Sequence, residues 1–452
     1  MRREEFIIPN KDFIIALFNV KPDSIENFFC FTDNDVIHYH ISLYIEKYEC
    51  DICGGKCISH GKKEKLIHHP NIIDFDGVIH YQARRYICKD CHHTFFEKNP
   101  FSFSGFSNSF ALINRIMKHL ANLDLTFKRI AQLTNVSDTT VQLYLDSYVS
   151  LPKPSLPENI GIDELYSKKM STNNSSYLCI LVDNINRYPF EILCSRSKRY
   201  LDSHFSSYPK AEKARVKYVT IDMWLPYKDI ALKHFPNCKV AVDPFHVVEN
   251  ICKAFTKIRV SIMNQVPYGS DAYYLLKTWH KLLDSDKFVL DNEPKYNSHF
   301  NRKLNYRSLY NMLLDISDRL KEAYQLKCAY QLFNERANIH NCEAWLDQLI
   351  KTFTDSDIVE YYDCTKTIIN WRQEIINSFE RPYNERKQSN ALSENINSQI
   401  RAYLGLIRGS SNFNRFKKRI LLATNKKVFY AISDRLESEK RKGYSRGKYT
   451  KK

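Results

Sequence analysis

The sequence lacks several features that would point to particular classes of protein. No apolar run approaches the ~18 residues that a membrane-spanning helix needs, and the start MRREEFIIPNKDF has no apolar signal-peptide core. Only 11 glycines occur among 452 residues, and neither a glycine-rich phosphate loop nor an internal repeat is apparent. We therefore expect no membrane insertion and no secretion, and predict a cytoplasmic protein.

Acidic residues are also in short supply. The chain carries 51 Asp and Glu against 67 Lys and Arg, which gives a net charge of +16 and a pI near 9.1. Such a balance favours a polyanionic partner through electrostatics and counterion release, although it does not identify one. The length allows two to four domains, and a hydrophobic content of 43% is ample for buried cores.

Cysteine is plentiful, but its spacing indicates metal binding. A reducing compartment argues against a disulfide framework for the 13 cysteines. Two Cys-x-x-Cys pairs, Cys50 with Cys53 and Cys88 with Cys91, can each aim two thiolates at one tetrahedral Zn²⁺. With short strands between them, they predict a structural zinc ribbon over residues 45–100. Possible substitute ligands are Cys57, His92 and His93.

A helix-turn-helix domain is predicted in residues 105–150. It begins with an amphipathic helix whose apolar residues are Leu112, Ile113, Ile116, Met117 and Leu120. Ala131 is small where two helices cross, Asn135 suits a left-handed turn, Ser137 suits a helix N-cap, and Val141 suits the core. The residues predicted to contact DNA here are Ser137, Thr139 and Gln142 for base edges, and Lys128 and Arg129 for phosphates. The alternative is an ordinary helical hairpin that packs one domain on another.

Three acidic residues have the setting of a metal-dependent DNA-cutting site. Asp163 in GIDELY and Asp222 in YVTIDMW lie in or at the end of strand-like runs, while Glu394 lies on a helical pattern in SNALSENINSQIR. Clustered carboxylates become favourable when they bind two Mg²⁺ ions. Any one of these acids alone would more often be a turn or cap residue; the set of three in this order is much less common.

Asp243 in VDPFHV is the strongest rival acid, since it also ends a strand and is followed by His246. The pair could bind a metal. Asp243 as a helix cap, with a buried His246 bonded to backbone, is the favoured explanation.

The order of these motifs resembles the ISL3 family of insertion-sequence transposases. The resemblance runs over nearly the whole chain, through GIDE, TIDMW, FPNCKVAVDPFHVV, and SNALSENINSQIR with the later NFNRFKKRI. It implies a ribonuclease-H-like α/β catalytic domain interrupted by an all-α insertion, in which Asp163, Asp222 and Glu394 form a DDE site that uses two Mg²⁺ or Mn²⁺ ions. It also implies a bacterial, nucleoid-associated protein.

The resulting prediction is a multidomain α+β protein. Its expected domains are an N-terminal segment (1–44), the zinc ribbon (45–100), the helix-turn-helix (105–150), the catalytic domain (157–264 and 382–436), a helical insertion (265–381) and a basic tail (437–452) that is disordered without DNA. The basic residues after Glu394 are expected to contact phosphates or to form a solvated helix face; they are Arg401, Arg408, Arg415, Lys417, Lys418 and Arg419.

The predicted function is cleavage and strand transfer at terminal inverted repeats. The expected partners are double-stranded DNA, as repeats and as target, and a second copy of the chain, because two ends must be cut together. The alternatives are a structure-specific nuclease that cuts without joining, and a zinc-dependent DNA-binding regulator or inactivated transposase copy.

Overall fold

The computed structural model describes residues 15, 17–46, 48–72, 75–171, 175–285, 287–383, 387–407 and 412–434. The chain divides into two compact units, which we call unit 1 (Met1–Pro154 with Ser398–Lys452) and unit 2 (Ser155–Asn397). The predicted basic tail and Arg408 lie outside the described residues. None of the described helices is both long and apolar enough to cross a membrane.

Unit 1 combines a twisted sheet with a group of helices. Its elements are β1 (Ile25–Asp33), β2 (Val36–Leu43), β3 (Cys57–Ile72), β4 (Phe75–Cys88), β5 (Thr94–Phe96), α1 (Phe110–Leu120), α2 (Phe127–Thr134), α3 (Asp138–Tyr148) and α16 (Phe413–Thr424), with a 3₁₀ turn at Pro22–Ser24. The sheet order is β1-β2-β4-β3, and β5 pairs with β4.

The sheet of unit 1 is larger than the sequence indicated. The prediction placed short strands between the cysteine pairs, whereas β3 and β4 form a hairpin of 16 and 14 residues. Every second residue of β4, at Ile79, Tyr81 and Ala83, is fully buried on one face, as expected for a half-buried strand. The β1–β2 hairpin, which was not predicted, continues this sheet.

The helices of unit 1 follow the predicted pattern. All five apolar residues predicted for the first amphipathic helix are buried in α1; they are Leu112, Ile113, Ile116, Met117 and Leu120. Asn135 adopts φ 47° between α2 and α3, Ser137 caps α3 by accepting from the backbone of Thr140, and Val141 is fully buried. The predicted turn chemistry of this helix pair is therefore confirmed.

Unit 2 is built on a five-stranded mixed sheet. Its first elements are β6 (Asn159–Tyr166), β7 (Tyr177–Asp183), β8 (Tyr188–Leu193), α4 (Lys198–Ser206), α5 (Lys210–Lys213), β9 (Tyr218–Ile221), α6 (Leu225–His234), β10 (Lys239–Val242) and α7 (Pro244–Gln265). The strand order is β10-β9-β6-β7-β8. The strands β6, β7 and β8 pair antiparallel, whereas β9 and β10 run parallel to β6. The α/β part of the prediction is thus confirmed.

The rest of unit 2 is mainly helical. Its elements are α8 (Asp271–Thr278), α9 (Lys281–Asp284), β11 (Lys295–Asn297), β12 (Arg302–Leu304), α10 (Tyr306–Leu314), α11 (Asp318–Arg336), α12 (Cys342–Asp355), a 3₁₀ turn (Val359–Tyr361), α13 (Tyr362–Asn370), α14 (Arg372–Asn377) and α15 (Ala391–Leu406), which continues into unit 1. The expectation of an all-α insertion is wrong at β11 and β12. These three-residue strands are too short to show alternation, and their turn is set by Asn297, whose Oδ1 accepts from the backbone of His299.

Candidate functional site

Two of the predicted acids lie side by side at one edge of the unit 2 sheet. The parallel strands β6 and β9 pair Gly161 with Thr220, and this register, continued by two residues, sets Asp163 beside Asp222. Neighbouring strands are about 4.8 Å apart. The electrostatic repulsion between the two carboxylates is one cause of the raised pKa of Asp163. The two acids are therefore close enough to share bound cations.

Asp163 is buried in a way that disfavours its ionised form. It is 7% exposed, and desolvation, followed by the nearby charge of Asp222, raises the pKa of its carboxyl group to about 7. Its Oδ1 accepts from the backbone N–H of Glu164 at 2.7 Å, and its Oδ2 accepts from Nδ2 of Asn397 at 2.7 Å. A cation beside Asp163 would remove the energetic cost of ionising it here.

Asp243 caps a helix at the same sheet edge, as predicted. Its Oδ1 accepts from the backbone of Phe245 at 3.0 Å, at the N-terminus of α7. Its Oδ2 accepts from the backbone of Asn390 at 2.9 Å, just before α15. The same carboxylate also belongs to a possible metal-binding group, because ligand atoms of Asp243, His246 and Glu394 lie within 4.8 Å of one another.

His246 makes a contact that the sequence did not suggest. The favoured explanation was a buried histidine bonded to backbone, but its Nε2 lies 2.9 Å from Oδ1 of Asp222. The hydrogen bond with Asp222 is the main reason that the pKa of His246 is raised to about 9. In this arrangement the imidazolium partly neutralises the carboxylates around it.

Glu394 reaches the acid cluster from the first turn of α15. The helix is fixed by two asparagines that sequence reasoning missed. Asn390 donates from Nδ2 to the carbonyl of Ile162 at 3.1 Å and to Asp222 at 3.3 Å, and Asn397 holds Asp163. The spacing of 390, 394 and 397 on one helix face was the available signal. We call Asp163, Asp222, Asp243, His246 and Glu394 the acid site.

The four predicted zinc ligands come together in unit 1. The Sγ atoms of Cys50 and Cys91 are 3.5 Å apart, and the Sγ atom of Cys53 is 3.4 Å from those of Cys88 and Cys91. Tetrahedral zinc with bonds of about 2.3 Å requires similar spacings. A hydrogen bond from the backbone of Cys91 lowers the pKa of the Cys88 thiol to about 6, which favours a thiolate. The cysteine group is therefore compatible with a zinc ribbon.

A second group of possible metal ligands in unit 1 has another explanation. Ligand atoms of His40, Glu64 and His80 also lie within 4.8 Å of one another. Both ring nitrogens of His80 have protein partners: Nδ1 lies 3.3 Å from Glu64, and Nε2 lies 2.8 Å from Nδ1 of His38. The rings of His40 and His80 stack at 4.2 Å with planes 16° apart. This group is best described as a polar network on the sheet.

The predicted DNA-contacting residues have mixed surroundings. Lys128, Arg129, Ser137 and Thr139 are exposed. Gln142 is half-buried, and its Oε1 accepts from Nη1 of Arg415 at 2.7 Å. The side-chain oxygen of Gln142 is therefore engaged within unit 1.

Several basic residues after Glu394 make contacts within unit 1, so the alternative of a solvated helix face is wrong for them. Arg415 forms an ion pair with Asp146 at 2.5 Å, and Lys418 donates to the carbonyl of Asp146. Arg419 is fully buried and donates to the carbonyls of Asn122 and Leu125, each at 2.7 Å. These contacts attach α16 to the helices of unit 1. Arg401 on α15 is exposed.

Comparisons with known proteins add an independent finding. The family model of ISL3-type DDE transposases, described as a transposase, matches residues 160–420. The match covers more than half of the chain and includes every residue of the acid site. A search of curated proteins gave no match. The chain therefore belongs to the ISL3 family of DDE transposases.

Proposed function

We propose that the chain binds the terminal inverted repeats of an insertion sequence, hydrolyses a phosphodiester at each end, and joins the freed 3′-hydroxyl to target DNA. The observation that carries this proposal is the meeting of Asp163 and Asp222 on neighbouring strands, with Glu394 reaching the same cluster from α15. The strand order β8-β7-β6-β9-β10, antiparallel and then parallel, supports a ribonuclease-H-like domain.

The residues present fit divalent cations. Asp163, Asp222 and Glu394 offer the hard oxygen atoms that Mg²⁺ and Mn²⁺ prefer. Burial, followed by the charge of Asp222, raises the pKa of Asp163, and a bound cation would offset both effects. When bound, two such ions would polarise the phosphodiester and make the attacking water or hydroxyl more acidic.

The side chains of the acid site would orient the reacting groups and balance the charge of the site. Asp163 would give up its proton as cations enter. Before the cations enter, His246 would limit the repulsion among the carboxylates. Its Nε2 carries a proton and lies 2.9 Å from Asp222. No covalent protein intermediate is needed, because water and then the DNA 3′-hydroxyl act as nucleophiles.

DNA recognition is proposed for unit 1. The cysteine group would hold Zn²⁺ and shape the ribbon at residues 45–100, and the helix pair within 105–150 would enter the major groove. The proposed contacts are Ser137, Thr139 and Gln142 for bases, and Lys128, Arg129 and Arg401 for phosphates. Because Oε1 of Gln142 already accepts from Arg415, its amide would contact a base through Nε2. A homodimer is proposed, since two ends must be cut together.

Labelled repeat ends provide the test. Asp163→Asn, Asp222→Asn and Glu394→Gln should each abolish Mg²⁺- or Mn²⁺-dependent cleavage and joining while repeat binding is retained, because each removes a ligand charge and nearly preserves shape. Asp229→Asn is a matched control, since this exposed carboxylate pairs only with Lys198 among the described ion pairs. Wild-type protein that binds repeats but never cuts would support the regulator or inactivated copy, and cutting without joining would support the nuclease.

A further inference from the structure

Two asparagines at the start and in the middle of α15 hold the acid site together. Nδ2 of Asn397 donates to Oδ2 of Asp163 at 2.7 Å and to the carbonyl of Glu164 at 3.2 Å. Nδ2 of Asn390 donates to Asp222 and to the carbonyl of Ile162. Each amide thus contacts one candidate carboxylate and the backbone of β6. Their spacing, with Glu394 between them, fixes the register of α15 against the strands.

The oxygen atoms of the same two amides lack a described partner. Oδ1 of Asn390 and Oδ1 of Asn397 are buried and accept no hydrogen bond from any described residue, and the buried Oγ of Ser393 is in the same position. Buried acceptors are almost always satisfied, and an exception points to an ion or water. Because Oδ1 and Nδ2 are bonded to the same carbon, each oxygen lies in the same part of the site as the carboxylate that its Nδ2 contacts.

The chemistry of the site limits which donors these oxygens could meet. Ionised carboxylates accept hydrogen bonds and cannot donate them. Mg²⁺ usually keeps several of its waters when it binds protein carboxylates, and those waters are donors. Hydrogen bonds from groups around a metal site to its ligands orient the ligands and tune metal affinity.

We propose that Asn390 and Asn397 are positioning residues of the acid site, whose NH₂ groups orient Asp222 and Asp163 and whose Oδ1 atoms accept from water carried by the divalent cation. The inference rests on the proposed function. Each amide would then donate to a carboxylate through Nδ2 and accept from a water molecule through Oδ1 at the same time.

The full-length chain and Mn²⁺ provide the test. Asn397→Ala removes donor and acceptor, and should weaken Mn²⁺ affinity, measured by calorimetry, by about 10- to 100-fold. The Mn²⁺ concentration for half-maximal cleavage should rise in parallel, and cleavage should recover partly at high Mn²⁺. Asn390→Ala should behave alike. Asn311→Ala, at an exposed asparagine in α10, is the control and should leave both values unchanged.

Asn397→Asp separates positioning from simple packing. The new carboxylate would face Asp163 without donating a hydrogen bond to it. The melting temperature without added Mn²⁺, measured without chelator so that zinc is retained, should therefore fall below that of wild type. Saturating Mn²⁺ should then raise the melting temperature by more than it does for wild type, because the cation relieves the added repulsion. For Asn397→Ala, Mn²⁺ should raise the melting temperature by less than it does for wild type.

Failures of the two proposals are distinguishable. Equal losses of melting temperature without and with added Mn²⁺, together with unchanged Mn²⁺ affinity, would show a purely structural role and overturn the inference while wild-type cleavage stands. Wild-type protein that neither binds Mn²⁺ nor cleaves repeat ends would overturn the proposed function and the inference with it.

Discussion

Replacing Asp243 with asparagine tests which carboxylates serve the reaction and which serve the fold. Both oxygens of Asp243 accept backbone hydrogen bonds, from Phe245 and Asn390, and the residue is 3% exposed. Asparagine keeps one acceptor and is as good an N-cap as aspartate, so the bond to Phe245 can persist. The other position becomes an NH₂ group that faces the N–H of Asn390.

The structure gives the expected size of the effect. A hydrogen bond to a charged group contributes about 1.5–3 kcal/mol, so losing the bond from Asn390 should cost about 2 kcal/mol of unfolding free energy. Because Asp243 acts on Asp222 through Asn390, cleavage should fall by about tenfold or less. Asp222→Asn should instead reduce cleavage by well over about 100-fold. It would remove a proposed metal ligand, and this loss should exceed that from removing a residue that only hydrogen-bonds a ligand.

The assay compares wild type, Asp243→Asn and Asp222→Asn on labelled repeat ends at a temperature where all three are folded. Urea unfolding followed by tryptophan fluorescence reports stability in parallel. If folded Asp243→Asn fails to cut while Asp222→Asn still cuts, the second catalytic acid is Asp243. The proximity of Asp243 to His246 and Glu394 makes this comparison necessary.

Three further predictions concern unit 1. Cys88→Ser should lose about one equivalent of zinc by elemental analysis and unfold the ribbon, because small zinc sites fold with their metal; fresh wild-type protein without zinc would contradict this. Lys128→Ala should weaken binding to repeat and scrambled duplexes alike in fluorescence anisotropy. It should also reduce the slope of log binding constant against log salt concentration by about 1. A loss of affinity confined to the repeat would argue for a base contact. Burial lowers the pKa of His69 from its ordinary 6.5 to about 4, so the unfolded chain binds the extra proton and stability should fall by about 3 kcal/mol as pH drops through that window. His69→Gln should lose less stability than wild type between pH 7 and 4 in urea titrations, and an unchanged loss would refute this.

The sequence predicted the features that depend on local pattern. The buried stripe of α1, the left-handed Asn135, the Ser137 cap and the Asp243 cap follow from spacing and side-chain chemistry over a few residues. The cysteine pairs likewise predict a shared metal ion, because the two ligands of each Cys-x-x-Cys pair are only three residues apart. Each of these was predicted without knowledge of distant contacts.

Features that depend on distant contacts were missed. His246 was expected to bond backbone, yet from α7 it contacts Asp222, which directly follows β9. Within α7, Phe245 is 56% exposed, while Val247 and Ile251 are buried. A helical stripe fixes a face only to within about one residue, so the strands and helices that pack against α7 decide which side chains are covered.

The last helix illustrates the largest gap between pattern and structure. The run NRFKKRI in α16 has the charge expected of a phosphate-binding surface, but Arg419 is wholly buried and satisfies the carbonyls of Asn122 and Leu125 at the end of α1 and in the turn before α2. A buried arginine is tolerated only when paired or hydrogen-bonded, and those carbonyls lie some 300 residues earlier in the chain. Unit 1 is therefore completed by its own C-terminal segment, so DNA binding must be measured on the full chain. A fragment of residues 1–150 would leave those carbonyls and the apolar face beneath Leu422 uncovered.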